Sequence, residues 1–316
     1  MTADVFPTGT DVAARGALAG LLDHLSAADY AFVSMTPATH RLVASRRPMA
    51  RPGDLRDIFG WGRTFHAEDV DDRVLDLMRT AGVLQSQGQH HRSSVRISTL
   101  DDRLHLHSAR NDEDDAVFLG PDSYRFVRFI RSALGDDVSL GRALDVGAGA
   151  GAGALALSAR FPQAKVVASD VNPLALTYLS ANAVHARLSV EMVEGSGLEA
   201  VHGDFDLIVA NPPYVADLAG RTYRDGGGAL GSELGLRWVR EGLDRLRSRG
   251  RFLLYTGAPV VEGRDRVHEQ LRQIAVRSQV RLDYEEIDPD VFGGTLRQPA
   301  YSAVERIAAI GAVLSR

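Results

Sequence analysis

The residues Asn211-Pro212-Pro213-Tyr214 form a motif suited to holding a planar nitrogen group. They follow the apolar run 205–210, which predicts a buried parallel strand. The Asn211 side-chain oxygen can accept one N–H and the Pro212 carbonyl a second, which would turn the nitrogen lone pair out of its π-system. Tyr214 offers a flat face on which a planar group can stack. A turn that only ends the strand is the alternative interpretation.

A second chemical signal is the glycine turn that follows Asp145. The turn contains Gly147, Ala148, Gly149 and Gly151, and a helix is predicted over 152–160. Glycines let the backbone approach a ligand, and the helix N-terminus presents free N–H groups. A carboxylate beside the turn would repel a pyrophosphate but attract an ammonium group. This favours S-adenosylmethionine (SAM) over a dinucleotide.

A second strand, 165–170, ends in Asp170, and Val171 comes next. A carboxylate at the end of such a strand can accept both hydroxyls of a ribose. The alternative interpretation makes Asp170 the N-cap of a helix that begins at Pro173.

The region from about Phe118 to Leu254 resembles class I SAM-dependent methyltransferases through these three signals. Within that superfamily, the motif 211–214 is similar to that of release-factor glutamine methyltransferases and of adenine N-methyltransferases. The resemblance implies a Rossmann-like sheet of seven strands, with the last strand antiparallel. The cofactor-binding residues that it implies are Asp145, Gly147, Ala148, Gly149, Gly151, Asp170, Val171 and Asn211. At the end of the third strand the sequence has Ser196, where the family often has an aspartate for the adenine amine.

Length and composition predict a soluble protein of two parts. The chain has 316 residues, a net charge of −5 and no cysteine, which excludes disulfides, thiolate metal sites and a cysteine nucleophile. The lack of a long apolar segment or a leader pattern predicts a cytoplasmic protein without membrane contact. The negative charge makes nucleic acid an unlikely partner.

A polar, acidic run near 110–115 predicts a boundary between domains 1–112 and 113–316. Amphipathic helices are predicted over 11–27 and 71–84, and a hairpin over 94–107. This order indicates a smaller α+β domain of winged-helix type, which we expect to be a cap or a homodimer contact.

Alternating strands and helices predict an α/β domain with a mostly parallel sheet. The predicted strands are 142–147, 165–170, 189–193, 205–211, 251–256, 280–287 and 302–310, and the predicted helices are 152–160, 173–186, 233–248 and 264–278.

Several further residues have open roles. The glycine-rich segment with Tyr223 and Asp225 is predicted to be a mobile loop that binds substrate. Phe118 or Tyr124 is equally suited to packing on SAM or in the core. The histidines 90, 91, 105 and 107 favour a solvated hairpin face over a metal site, and the acidic run 285–290 favours a solvated surface over a site for a cationic substrate.

These signals together predict a SAM-dependent N-methyltransferase in which Asn211, Pro212, Pro213 and Tyr214 are catalytic. The expected acceptor is an amide, guanidine or amine of a small metabolite or amino acid, for example arginine. Substrate contacts are expected from Asn211, Tyr214, Tyr223 and Asp225. The alternatives are a release-factor glutamine, an adenine in DNA or RNA, or a SAM-binding regulator without catalysis.

Overall fold

The computed structural model describes residues 12–46, 54–109, 115–135, 138–214, 226–228 and 230–316. The helices in these ranges are α1 (Val12–Ala27), α2 (Pro37–Arg46), α3 (Asp72–Thr80), α4 (Pro121–Ala133), α5 (Ala152–Arg160), α6 (Pro173–Ala186), α7 (Glu233–Leu243) and α8 (Arg266–Ser278). The strands are β1 (Leu84–Gln87), β2 (His90–Ser93), β3 (Val95–Leu100), β4 (Arg103–Ser108), β5 (Arg142–Val146), β6 (Lys165–Asp170), β7 (Glu191–Glu194), β8 (Phe205–Ala210), β9 (Leu246–Val261), β10 (Arg264–Asp265), β11 (Arg281–Asp288) and β12 (Arg306–Ser315). None of the described helices is both long and apolar enough to span a membrane.

The main sheet has the strand order β11-β12-β9-β8-β5-β6-β7, and β10 adds a short pairing to β9. Strands β9, β8, β5, β6 and β7 are parallel, whereas β12 is antiparallel to both of its neighbours. The predicted seven-stranded sheet with an antiparallel last strand is therefore confirmed. Because β5 lies between β6 and β8, the carboxyl ends of these three strands meet at one edge of the sheet.

Alternation along the central strands divides the core into two layers. Ala143 packs with α4, α5 and α6 on one face, and its neighbour Leu144 packs with α7 and α8 on the other. Leu207 and Ile208 of β8 divide in the same way. Successive side chains of a strand point to opposite faces, so a central strand covered on both faces is apolar throughout.

Several predicted element bounds differ from the structure. The last strand, predicted over 302–310, is β12 (Arg306–Ser315), and the helix predicted over 71–84 ends at Thr80. Helix α7 ends at Leu243, and β9 begins at Leu246 rather than at residue 251. Strand β9 is extended because it pairs with β12 over residues 251–260, a contact between distant segments that local patterns do not report. Helix α4 was not predicted, although Pro121 occupies its first turn.

The N-terminal part is a smaller α+β unit that shares a core with the methyltransferase-like part. Residues of α1, α3, β3 and β4 pack with Ala156 of α5 and with Tyr178 and Ala181 of α6. The predicted hairpin is present as β3 and β4, but its residues are largely buried rather than exposed as a wing. A second, exposed hairpin, β1 and β2, was missed because its polar sequence has no apolar alternation. The predicted boundary at 112/113 falls outside the described residues.

Candidate functional site

The glycine turn follows β5 at the sheet edge, and one side of the turn is not covered by described residues. Gly147 N and Ala148 N both donate to the Ser169 carbonyl of β6, at 2.8 and 3.0 Å. Gly149 has φ +55°, and a Cβ built there would meet no atom within 4 Å. The left-handed backbone requires glycine, and the space over Gly149 can receive a ligand.

Asp145 lies beneath this turn and is only 1% exposed. Its Oδ2 accepts a hydrogen bond from Ala154 N at 2.7 Å, in the first turn of α5. Burial, reinforced by the charge of Asp170, raises the pKa of Asp145 to about 7. The carboxyl group therefore holds the start of α5 against the end of β5. Its contact with the ammonium group of SAM stays a prediction.

Asp170 connects the end of β6 to the glycine turn. Its Oδ2 accepts from Gly149 N at 2.8 Å, and its Oδ1 accepts from Asn172 N at 2.9 Å. The N-cap of α6 is Asn172, whose side chain accepts from Leu174 N, so the alternative interpretation of Asp170 as the N-cap is wrong. Burial raises the pKa of Asp170. Each carboxylate oxygen keeps a lone pair for a further donor, and a ribose hydroxyl fits this requirement.

Asn211 follows β8 at the same sheet edge. Its Oδ1 is buried and has no hydrogen-bond partner among the residues that the structure describes. The ring of Pro212 is buried against Gly235 of α7, where an added Cβ would lie 3.0 Å from the proline Cγ. A buried acceptor without a donor costs about 1–3 kcal/mol, so this atom is suited to an N–H group that arrives with a ligand.

Tyr214 is oriented differently from the stacking platform that the sequence predicted. Its ring is 93% buried, with Gly257 of β9 against one side and Phe292 edge-on at 5.4 Å between centroids. Its hydroxyl faces Asp122 without a well-formed hydrogen bond, and Asp122 Oδ1 accepts from Tyr255 at 2.9 Å. Burial and the Asp122 charge raise the pKa of Tyr214 well above its usual value. The ring thus anchors the motif to the core.

Asn182 of α6 was missed by sequence reasoning. It is fully buried and accepts from Leu106 N of β4 at 2.8 Å. Its Nδ2 donates to the carbonyls of Leu106 and of Ala150, at 3.2 and 3.0 Å. One side chain thus joins the N-terminal part to the glycine turn. No local signal distinguishes this asparagine from an ordinary helical residue.

Four further residues were candidates for binding SAM or substrate: Phe118, Tyr124, Tyr223 and Asp225. Tyr223 and Asp225 fall within the range 215–225, which the structure does not describe. Tyr124 donates to the Thr99 carbonyl and accepts from Ser34 N, both at 3.0 Å, so it connects α4 to the N-terminal part. Phe118 is half-buried and packs on Gly120. Of the two interpretations of these aromatic residues, core packing matches Tyr124.

The prediction that the histidines line a solvated face is wrong for His105 and His107. Both are buried, because the N-terminal core and α6 cover β4 on its two faces. Burial lowers their pKa values to about 4 and about 3. His107 Nε2 lies 2.9 Å from the Ser98 hydroxyl, and no group of three metal-binding side chains occurs among the described residues.

The acidic run at the end of β11 is mostly exposed and paired with arginines. Glu286 lies 2.9 Å from Arg306, and Asp288 lies 2.8 Å from Arg125. Arg125 also lies 3.6 Å from Asp122, so the run reaches the Tyr214 cluster through one arginine. Glu286 therefore belongs to the solvated surface, whereas Asp288 helps to hold α4 through its ion pair with Arg125.

The residues at this edge offer the space, the hydrogen-bond acceptors and the charge that SAM requires. The open space over Gly149 accommodates a ligand, Asp170 has free lone pairs, and Asn211 has an unused buried acceptor. Two carboxyl groups, Asp145 and Asp170, lie at the turn, which suits a cationic cofactor better than a phosphorylated one. Val171, beside Asp170, is 50% exposed and offers an apolar surface, and Ser196 is exposed after β7.

Comparisons with known proteins support the same class. Residues 127–259 match the family described as methyltransferase small domain. A release factor glutamine methyltransferase from Deinococcus radiodurans is 47% identical over 74 residues, covering 23% of this chain and 27% of that protein. Another from Koribacter versatilis is 36% identical over 142 residues, covering 41% and 50%. A tRNA1(Val) (adenine(37)-N6)-methyltransferase from Porphyromonas gingivalis is 43% identical over 79 residues, covering 22% and 31%.

This chain spans half or less of the length of these relatives. Among solved structures, Trm5b from Pyrococcus abyssi has a TM-score of 0.51 at 14% identity, covering 78% of this chain and 68% of that one, which shows a shared fold. Residues 127–259 therefore match the methyltransferase small domain family, and the similarity to these relatives supports the class of SAM-dependent methyltransferases for this part of the chain.

Proposed function

We propose that this chain is a SAM-dependent N-methyltransferase that acts on a planar amide or amine nitrogen. The observation that carries the proposal is the buried Asn211 Oδ1. It has no hydrogen-bond partner within the described part of the chain and lies at the same sheet edge as the glycine turn. An acceptor at this position can bind an N–H of the substrate and reorient its nitrogen lone pair.

SAM would be held by the glycine turn, with Asp170 on its ribose. When bound, it would supply a sulfonium methyl group, which the substrate nitrogen could attack in line while the thioether sulfur leaves with the electrons of the broken S–C bond. The protein contributes position and hydrogen bonds: Asn211 Oδ1 accepts one N–H, and the Pro212 carbonyl accepts a second. Tyr214, anchored beside Asp122 and Gly257, holds the motif in place. No strong base is needed, because the nitrogen loses its proton after it becomes cationic.

For the acceptor we infer the side-chain amide of glutamine in a release factor. Two of the relatives described above carry that activity in their names. Residues 127–259, which match the methyltransferase small domain family, contain the glycine turn, Asp170 and Asn211. The adenine amine of RNA is the second candidate, supported by the tRNA adenine methyltransferase relative. The small metabolite favoured by the sequence, such as arginine, has no counterpart among these relatives.

We infer further that residues 1–112 form a unit that caps the methyltransferase domain or contacts a second copy. The buried bridge from Asn182 to Leu106 and Ala150 supports a cap, since it couples this unit to the cofactor turn.

The test is incubation with methyl-labelled SAM and, separately, purified release factor, total RNA and a metabolite extract. We expect label in the release factor, and its loss when the acceptor glutamine is replaced and when the enzyme carries Asn211→Ala. Label in RNA alone would indicate adenine as the acceptor. Label in the metabolite fraction would indicate a small metabolite such as arginine. Absence of label from every fraction, with SAM binding intact, would contradict the proposed activity.

A further inference from the structure

A cationic pocket is lined only by residues of the N-terminal part of the chain. It has a volume of about 470 Å³ between α2, the segment 61–64 and the hairpin strand β2. The side chains that give it its character are His40, Arg41, Trp61, Arg63, Thr64 and Arg92. Arg41, Thr64 and Arg92 are exposed, so the pocket opens to solvent. We call it the arginine pocket.

Backbone carbonyls fix the arginines at and behind this pocket. Arg92 Nε donates to the Gly62 carbonyl at 2.9 Å. Arg96, deeper in the structure, donates from Nε to the Gly60 carbonyl at 2.8 Å, and its guanidinium lies 5.6 Å from the centre of the Phe32 ring. These bonds use the Nε atoms and leave the terminal nitrogens available. Arg96 Nη2 is buried and has no hydrogen-bond partner in the ranges that the structure describes.

Three arginines at and behind the arginine pocket, Arg41, Arg92 and Arg96, have no carboxylate partner among the residues that the structure describes. Many surface arginines, by contrast, make ion pairs. Burial lowers the pKa of Arg96, opposed only by Tyr30 and Tyr124. Burial and the charges of Arg96 and Arg92 lower the pKa of His40. A buried guanidinium such as that of Arg96 is costly without a counter-charge, and the neighbouring charge of Arg92 adds repulsion that a bound anion would relieve.

We propose that the arginine pocket is a binding site for a phosphate group. Guanidinium groups present planar paired donors that match phosphate oxygens, and the Thr64 hydroxyl at the rim adds a neutral donor. Because the pocket is open, the phosphate can belong to a nucleic-acid strand as well as to a free nucleotide. The net charge of −5 repels polyanions elsewhere on the surface, which concentrates such binding at this one location. The site is independent of the proposed methyl transfer.

The experiment measures binding of phosphate probes to the full chain without SAM. A fluorescently labelled short single-stranded RNA is titrated by anisotropy at several salt concentrations, and pyrophosphate is tested as a competitor. The variants are Arg92→Gln and Arg41→Ala, with Arg272→Ala as control because Arg272 is an exposed arginine of α8 far along the chain. Arg41 lies on a helix with no buried residue, so its replacement leaves the fold intact.

We expect each pocket variant to weaken binding about tenfold, as for loss of a charged hydrogen bond. The slope of log affinity against log salt should become shallower by about 0.7 for each lost phosphate contact. Arg272→Ala should bind like the unmodified chain. Binding of pyrophosphate in calorimetry, weakened by the pocket variants and without RNA binding, would identify a small phosphate ligand for the same site. An equal loss in Arg272→Ala, the absence of binding to any phosphate probe, or stronger binding to an acidic peptide would overturn the proposal.

Discussion

The buried carboxyl group of Asp145 should make the stability of this protein fall as the pH rises from about 5 to about 8. Its pKa is raised from 3.8 to about 7 in the folded chain, mainly by burial. Between these values the folded state keeps a proton that the unfolded chain releases. The folded state therefore binds more protons in this window, and raising the pH disfavours it.

The size of the effect follows from the pKa difference. At about 1.4 kcal/mol for each pH unit, the full titration corresponds to about 4 kcal/mol. Part of this is already lost at pH 5, so about 2–3 kcal/mol should be lost between pH 5 and pH 8. Asp145→Asn keeps an oxygen for Ala154 N but has no charge to bury. Relative to the unmodified chain, the free energy of unfolding of Asp145→Asn should therefore rise by about 2–3 kcal/mol between about pH 5 and about pH 8.

Urea unfolding at a series of pH values measures this difference. Asp244→Asn, which removes an exposed carboxyl group at the end of α7, is the matched control and should track the unmodified chain. Saturating SAM should reduce the pH dependence of the unmodified chain, since an ammonium group beside Asp145 lowers its pKa. Parallel stability curves for Asp145→Asn and the unmodified chain would refute the reasoning. If SAM leaves the pH dependence of stability unchanged, Asp145 does not contact the ammonium group of the cofactor.

Four further results are expected. Asp170→Ala should weaken SAM binding in calorimetry by about 1–3 kcal/mol, because ribose hydroxyls lose their acceptor; unchanged affinity in a folded variant would remove Asp170 from the cofactor site. Asn211→Ala should lower kcat by about a hundredfold or more with an unchanged circular dichroism spectrum, and full activity would mean that the tetrapeptide only ends a strand. Tyr214→Phe should reduce kcat and stability less than Tyr214→Ala, which empties a buried site at a cost of about 3–5 kcal/mol; the opposite order would assign the function to the hydroxyl. Asn182→Ala should lower the free energy of unfolding by about 3 kcal/mol in urea, since it leaves buried backbone groups without partners, and a near-neutral change would show that water replaces the bridge.

The sequence by itself determined the parts of the site that are local. Asp145 lies one residue before the end of β5, Asp170 is the last residue of β6, and Asn211 follows β8. Strand ends in a parallel sheet meet at one edge. Helices α5 and α6 begin and end where their glycine, proline and apolar residues predict. Such features depend on neighbours within a few residues, so they can be read without the fold.

Only the tertiary structure decided which distant side chains meet. Tyr255 reaches Asp122 across 133 positions and Asn182 reaches Leu106 across 76, so neither contact leaves a periodic trace in the sequence. The burial of His105 and His107 has the same origin, because a strand that alternates cannot report that a second element covers its polar face. Net charge likewise averages over the chain, whereas the arginine pocket forms where α2 and β2 fold together. There, Arg41 and Arg92 have no carboxylate partner in the described ranges.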